Sequence, residues 1–356
     1  MGNFSSLLLI MTSIGMTMGF VHQSLGKHFG ALQYLLILAT VFVCGIIGSN
    51  TLLKTSGMGT SIWCIFFGIA LRLPLYKAYP WVKASIYDLE FFIKAGIVLL
   101  AINLKGVGIV GAKALMVSWV ETLLIIPLVY AIGVYILRMK KDEALVTSST
   151  VCICGTSAGM TIGECVAIDK DALTSIIAAT SLLTVPLIPT MPLAKSVNDV
   201  ILGAWIGGSV DSSGAVIATA SLRSPAATQV AVIIKMLQNI IIGVVALFIT
   251  FIWNKTCNAK ILWTKFPKFV LGFIIVAIIT TLMPDNMVDR LVNNSFFVSE
   301  WYSWISFVII GFEIDLLNIW ARVKTHKLII ALYVIGQLID LGTTFGMAYL
   351  FMGVVQ

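Results

Sequence analysis

Residues 226–253 read AATQVAVIIKMLQNIIIGVVALFITFIW, and the only charge in this run is Lys235. A helix rises about 1.5 Å per residue, so this stretch outreaches the ~30 Å hydrocarbon core of a bilayer. The rest of the chain repeats the pattern. Of its 356 residues 59% are hydrophobic and 11% are charged, where a soluble domain has about 45–50% and about a quarter. A soluble enzyme of this composition would expose too much apolar surface. A disordered chain is excluded by the same numbers. Six cysteines are too sparse for a disulfide-stapled secreted domain. The sequence therefore predicts an all-α polytopic membrane protein.

Twelve spans are predicted: Ser5–Val21, Leu32–Asn50, Gly57–Leu71, Leu89–Leu104, Gly111–Leu137, Ala144–Ile168, Ala172–Met191, Val197–Ala220, Ala226–Trp253, Phe266–Met283, Trp301–Ile314 and Leu328–Met352. No Lys or Arg precedes the apolar run after Met1, so that run reads as a first span with its N-terminus outside rather than as a cleavable signal. With strict alternation, fifteen Lys and Arg fall in inside loops and six in outside loops. Lys170 and Arg223 count as outside, Lys195 as inside. This is the positive-inside bias of a multi-pass plasma (inner) membrane protein, and the net charge of +7 needs no nucleic-acid partner.

Phe91-Phe92-Ile93-Lys94 resembles Val232-Ile233-Ile234-Lys235, five spans later. An odd separation inverts the two copies. The expected organisation is an accessory pair of helices over residues 1–56, a first five-helix repeat over 57–191 and an inverted second repeat over 192–356.

A charge in mid-bilayer costs roughly 2.5–3.5 kcal/mol on insertion scales, so each one asks for a reason. Lys94 either pairs with Glu90 one turn earlier or serves a site. Lys235 lies deep in its span beside Gln238 and Asn239, which points to a ligand or an ion pair. Asp211 sits in Gly207-Gly208-Ser209-Val210-Asp211-Ser212-Ser213-Gly214. That composition suits either an unwound segment, baring amides and carbonyls for ions, or a loop between shorter helices. In Cys152-Ile153-Cys154-Gly155-Thr156-Ser157-Ala158-Gly159-Met160-Thr161-Ile162-Gly163-Glu164 the glycines recur every four residues. Close helix packing is one explanation. The other is a broken helix whose second half starts near Thr156 and Ser157 and points its positive end at an anion. Glu164 is either a proton or cation site or the end of the span. Glu121 and Asp340 lie within spans 5 and 12. Glu313 flanks Gly311, where the inverted counterpart of the span 6 break should fall. No Ser-His-Asp set, phosphate loop or metal-ligand spacing is present, so neither an enzyme nor a cofactor nor a metal is expected.

From Gly57 onward the chain resembles the YeiH family of sulfate exporters. The residues that carry the likeness are Ile93 to Leu100, Cys154-Gly155-Thr156-Ser157-Ala158, Gly203 to Val210, Val216-Ile217-Ala218 and Ile234-Lys235-Met236-Leu237. Through that family the layout is similar to the sodium/proton antiporter and bile-acid symporter superfamily. The resemblance implies two inverted five-helix repeats whose fourth helices, here spans 6 and 11, are broken and cross at mid-membrane. It also implies a homodimer. The sequence departs from the family where it has Asp211, Ser212 and Ala215 in place of a His-Glu pair and Gln, Gln238 in place of Arg, and Lys94 in place of Arg.

The expected activity is secondary active transport of a small anion (sulfate, sulfite or an organic acid) by alternating access. Gly155, Thr156, Ser157, Lys94, Lys235, Ser209, Ser212 and Ser213 would meet the anion. Asp211 and Glu164, with Gly311 and Glu313, would serve a coupling proton or sodium ion. A cation/proton antiporter of the same fold, a channel, and a non-transporting scaffold are the alternatives.

Overall fold

The computed structural model describes residues 101–103, 107–254, 268–284 and 326–353, with positions 64, 66–70, 72, 98, 287, 308 and 311. The expected spans 1 and 2, and most of spans 3, 4 and 11, lie outside the described residues, as do Lys94 and Glu313. The chain divides into two compact units: Met1–Leu99 with Asp285–Glu313, and Leu100–Pro284 with Ile314–Gln356. In the first unit a Cβ on Gly68 would come 2.9 Å from Gly311 Cα, so these glycines mark a close backbone approach.

Every ordered element described is helical. The helices are α1 (Gly111–Ile136), α2 (Lys141–Cys152), α3 (Gly155–Cys165), α4 (Lys170–Thr190), α5 (Asp199–Ser209), α6 (Ser213–Ser221), α7 (Pro225–Asn254), α8 (Lys268–Leu282) and α9 (Lys327–Met352). Four runs are long and apolar enough to cross a membrane: Gly111–Ile136, Lys170–Leu193, Pro225–Trp253 and Lys327–Met352. These agree with expected spans 5, 7, 9 and 12. Helix α1 carries two π-helical turns, Met116–Val120 and Ile132–Ile136, either side of Pro127. The first sets the register of Glu121, the residue that follows it.

Spans 6 and 8 depart from the expected single crossings. A Cβ on Gly159 of α3 would lie 3.1 Å from Thr150 Oγ1 of α2. In one continuous helix, residues nine apart would be separated by about 13 Å. Helix α3 therefore folds back along α2. At the open end of this hairpin the charge of Asp169, just before α4, acts on Lys140, just before α2. Helices α5 and α6 do the same. Arg223, which follows α6, donates from Nε to Asp199 Oδ1 at 2.7 Å and from Nη2 to Val197 O at 3.1 Å, at the start of α5. Each arm has 9 to 12 residues, or roughly 14–18 Å, about half the depth of a bilayer core.

The hairpins start from opposite ends of the unit. Gly133 packs against both Leu332 and Ala144, which puts the open end of α2/α3 beside the start of α9. Gly353 packs against Ile201, which puts the open end of α5/α6 beside the end of α9. Helices α5 and α7 run parallel, Gly203 against the backbone of Ala227 and Gly207 against that of Ala231. Small residues at this spacing let two backbones touch.

Composition explains the departure. Helix α2 contains Thr147, Ser148, Ser149 and Thr150, all fully buried. A helix carrying that polar band is wrapped by protein rather than lipid. The hydroxyls of Thr147, Ser148 and Thr150 donate back to backbone carbonyls, that of Thr150 to Val146 O at 2.6 Å. At the tips Cys154, Val210 and Ser212 are extended. Two missing crossings also cancel in the loop count. Lys170 moves to the side of Lys140, and Lys195 moves to the side of Arg223.

The Ser224 hydroxyl and the Arg223 guanidinium beside Asp199 hold its carboxyl below the usual carboxylate range. A depressed folded-state pKa gives stability that is present above the unfolded value of about 4 and is lost as pH falls through the folded value. The Asp199 side chain is 36% exposed, so the effect is under about 1 kcal/mol. Thermal melts should show Asp199→Asn slightly less stable than wild type at pH 7 and equal to it near pH 2.

Candidate functional site

The two hairpin tips meet inside the unit. The amide N–H of Gly155 donates to the carbonyl of Asp211 at 2.6 Å. The first arm of each hairpin ends at the tip with unpaired carbonyls. The second arm begins there with unpaired amides. The two kinds of end are treated differently.

Side chains serve the carbonyl ends. Lys235, fully buried on α7, donates to Ile153 O at 2.7 Å and to Gln238 Oε1 at 2.8 Å. Gln238 Nε2 then bridges Cys152 O at 3.2 Å and Gly208 O at 3.0 Å, one carbonyl from each hairpin. Thr122 Oγ1 donates to Cys152 O at 3.3 Å, and Gln337 Nε2 donates to Ser209 O at 2.8 Å. Polar groups cannot be left unpaired in a core without cost, and here one lysine and two amides close both helix ends.

The amide ends are open. Neither Cys154 before α3 nor Ser212 before α6 caps its helix with its side chain. The first-turn N–H groups of Thr156 and Ser157 have no backbone partner. Thr156 is exposed, Ser157 half-buried, and Ser212 and Ser213 half-buried. Ser213 Oγ accepts from Asn239 Nδ2 at 3.2 Å. Two positive helix ends with hydroxyls at their rims thus converge within a few ångströms, and that is the electrostatics of an anion site.

Asp211 is buried in the tip of the second hairpin. Tyr333 on α9 donates its hydroxyl to Asp211 Oδ2, and Oδ1 has no partner. A second acidic locus lies to one side. Glu121 on α1 and Asp340 on α9, both buried, have side chains that meet, and Thr344 Oγ1 donates to Glu121 Oε1 at 2.7 Å. Lys235 is in electrostatic reach of all three carboxyls and makes no direct ion pair among the described residues.

Of the residues the sequence singled out, Gly155, Thr156, Ser157, Ser209, Asp211, Ser212, Ser213 and Lys235 gather at the tips. Glu164 does not. It is exposed near the far end of α3, nine residues or about 13 Å from Gly155. Gly311 belongs to the other unit. The break in span 6 meets the break in span 8. Tyr333, Gln337 and Thr344 carry no motif and were not foreseen, while Gln238 stood out only as a polar neighbour of Lys235 and as a departure from the family pattern. Glu121 and Asp340 had a signal, a carboxyl inside an apolar span, but no partner to give it meaning.

A buried charge cluster among helices long and apolar enough to cross a membrane, with short hairpins closing on it, defines an all-helical membrane protein with an internal polar site. The chain belongs to the family described as conserved hypothetical protein 698, whose model matches residues 33–331. Its relatives are named as membrane proteins. It is 28% identical to a UPF0324 membrane protein of Rhodopirellula baltica, over 99% of this chain and 69% of the relative. It is 31% identical to one of Nitratidesulfovibrio vulgaris, over 88% of this chain and 59% of the relative. The membrane protein YdhF of Lactococcus lactis is 24% identical over 73% of this chain and 82% of the relative. The chain spans less than two thirds of the length of the Nitratidesulfovibrio relative. No solved structure matches it.

Proposed function

We propose that the protein is a secondary active transporter that moves a small anion across the plasma (inner) membrane by alternating access. The observation that carries this reading is the meeting of two open helix N-termini from opposed hairpins, tied by the 2.6 Å bond from Gly155 to Asp211. The anion would sit against the free amides of Thr156 and Ser157 and the hydroxyls of Ser212 and Ser213. Lys235 supplies the buried positive charge. The likeness to sulfate exporters favours sulfate or sulfite, with an organic acid as the broader class.

Charge balance gives the coupling. In the absence of substrate, Asp211 and Lys235 offset one another in a medium where an uncompensated charge is costly. An arriving anion competes with Asp211 for that one lysine. Its entry requires a proton or a metal cation to arrive with it. Opposed hairpins around such a site are what an inverted pair of repeats would supply. The end holding Arg138, Lys140, Lys141, Lys170 and Lys327 carries more basic residues than the end holding Lys113, Lys195 and Arg223, so it is assigned to the cytoplasm.

A cation/proton antiporter is the second reading, favoured by three buried carboxyls around one lysine. Radiolabelled sulfate uptake into proteoliposomes, with and without an imposed pH or sodium gradient, separates the two. The carrier reading expects gradient-driven sulfate accumulation. Sodium flux without any anion would favour the antiporter, and the same liposomes would then be offered organic acids.

A further inference from the structure

The acidic locus beside the tips has an excess of acceptors that the anion site does not explain. Five buried oxygens there lack a hydrogen-bond partner: Glu121 Oε2, Ser209 Oγ, Gln337 Oε1, and both Oδ1 and Oδ2 of Asp340. They come from α1, α5 and α9, and the side chains are 0 to 5% exposed. They also face one another. Asp340 meets Glu121 and faces the Ser209 hydroxyl without completing a hydrogen bond. Gln337 lies one turn before Asp340 and is held by its amide on Ser209 O at 2.8 Å, so its own oxygen is left over at the same place. Thr344 fixes the other oxygen of Glu121.

A shared proton satisfies one contact between two carboxyls and a hydroxyl proton one more. That leaves acceptors unmet in a buried core, where nearly all polar atoms are paired. One small hard cation would satisfy all five. Two carboxylates with two neutral oxygens, in the field of Lys235, is too little negative charge for a divalent ion. Among the described residues no group of three His, Cys, Asp or Glu side chains is placed to hold a metal ion. We infer that Glu121, Ser209, Gln337 and Asp340 form a site for one dehydrated sodium ion. It rests on the carrier reading for its role as coupling ion. It joins the anion site mechanically, because Ser209 ends the arm whose next residues are the Val210-Asp211-Ser212 tip.

The test is radiolabelled sodium binding, as the chloride salt, to the purified full chain with no sulfate, sulfite or organic acid present. Saturable binding is expected, displaced by unlabelled sodium but not by potassium or choline. Glu121→Gln and Asp340→Asn should each weaken it by more than about tenfold, and Ser209→Ala by about tenfold, since each removes a ligand that nothing replaces. Asp142→Asn, at the open end of the first hairpin, should bind as wild type does. If Asp340→Asn is not monodisperse, Ser209→Ala and Gln337→Leu carry the test. Absence of saturable sodium binding, or unchanged affinity in these variants, overturns the inference. Sodium binding in a protein that moves no anion leaves the site standing and removes the anion carrier reading instead.

Discussion

Lys235→Met is expected to abolish anion uptake and to loosen both hairpin tips. The lysine is fully buried, and its ammonium holds Ile153 O at 2.7 Å and Gln238 Oε1 at 2.8 Å. Gln238 in turn holds one carbonyl from each hairpin. Removing the ammonium strands two acceptors, at about 1–3 kcal/mol each. It also leaves Asp211, Glu121 and Asp340 with no counter-charge, and breaking a buried charge balance costs about 3–5 kcal/mol. Methionine fills the volume, so the loss reports charge rather than a cavity. Lys235→Arg keeps the charge but brings a planar fork to a site shaped for a point donor, and partial activity is expected. Proteoliposome uptake and thermal unfolding in detergent measure both consequences. Wild-type uptake by Lys235→Met would remove the lysine from the account.

The second large effect lies at Gly155. A Cβ there would sit 1.9 Å from Thr180 Cγ2 and 2.9 Å from Thr180 Oγ1 on α4. Gly155→Ala therefore forces the tip of the first hairpin away from α4, at about 1–3 kcal/mol for overpacking. The same movement stretches the bond to Asp211 O and separates the two helix N-termini. Uptake should fall by about tenfold or more, because anion binding depends on both ends at once. Thr180→Ser removes the clashing methyl and keeps the hydroxyl. Gly155→Ala with Thr180→Ser should recover most of the lost uptake and stability, with a coupling of about 0.5–3 kcal/mol. Additive losses would mean that the close contact is not what requires a glycine.

The four helices long and apolar enough to cross a membrane and the two breaks were legible in the sequence, because each rests on local composition. Charge is scarce enough in this chain that Lys235 and Asp211 stood out without a structure. The path of spans 6 and 8 was not legible. An arm of 12 residues followed by one of 11 has nearly the length of one crossing helix, and it takes contacts such as that of Gly159 with Thr150 to show that the chain turns back. The loop charges could not reveal it, because exchanging Lys170 for Lys195 leaves the inside and outside totals unchanged. The Glu121–Asp340 locus was hidden for a different reason. Its members are 219 residues apart, and a carboxyl in an apolar run says nothing about which other carboxyl it will meet. Glu164 had two readings, an ion site or the end of its span, and it stands near the far end of α3, which runs outward from the tip.

Opposed hairpins that turn back at half depth are the foundation of the site, and labelling from one side of the membrane tests them most directly. Lys170→Cys and Lys195→Cys would each be made in a chain lacking the six native cysteines. Intact cells would then be treated with a membrane-impermeant maleimide. With hairpins, Lys195→Cys is labelled from outside and Lys170→Cys only after the membrane is opened. With full crossings at spans 6 and 8 the pattern reverses, and that result would contradict the architecture and the anion site built on it.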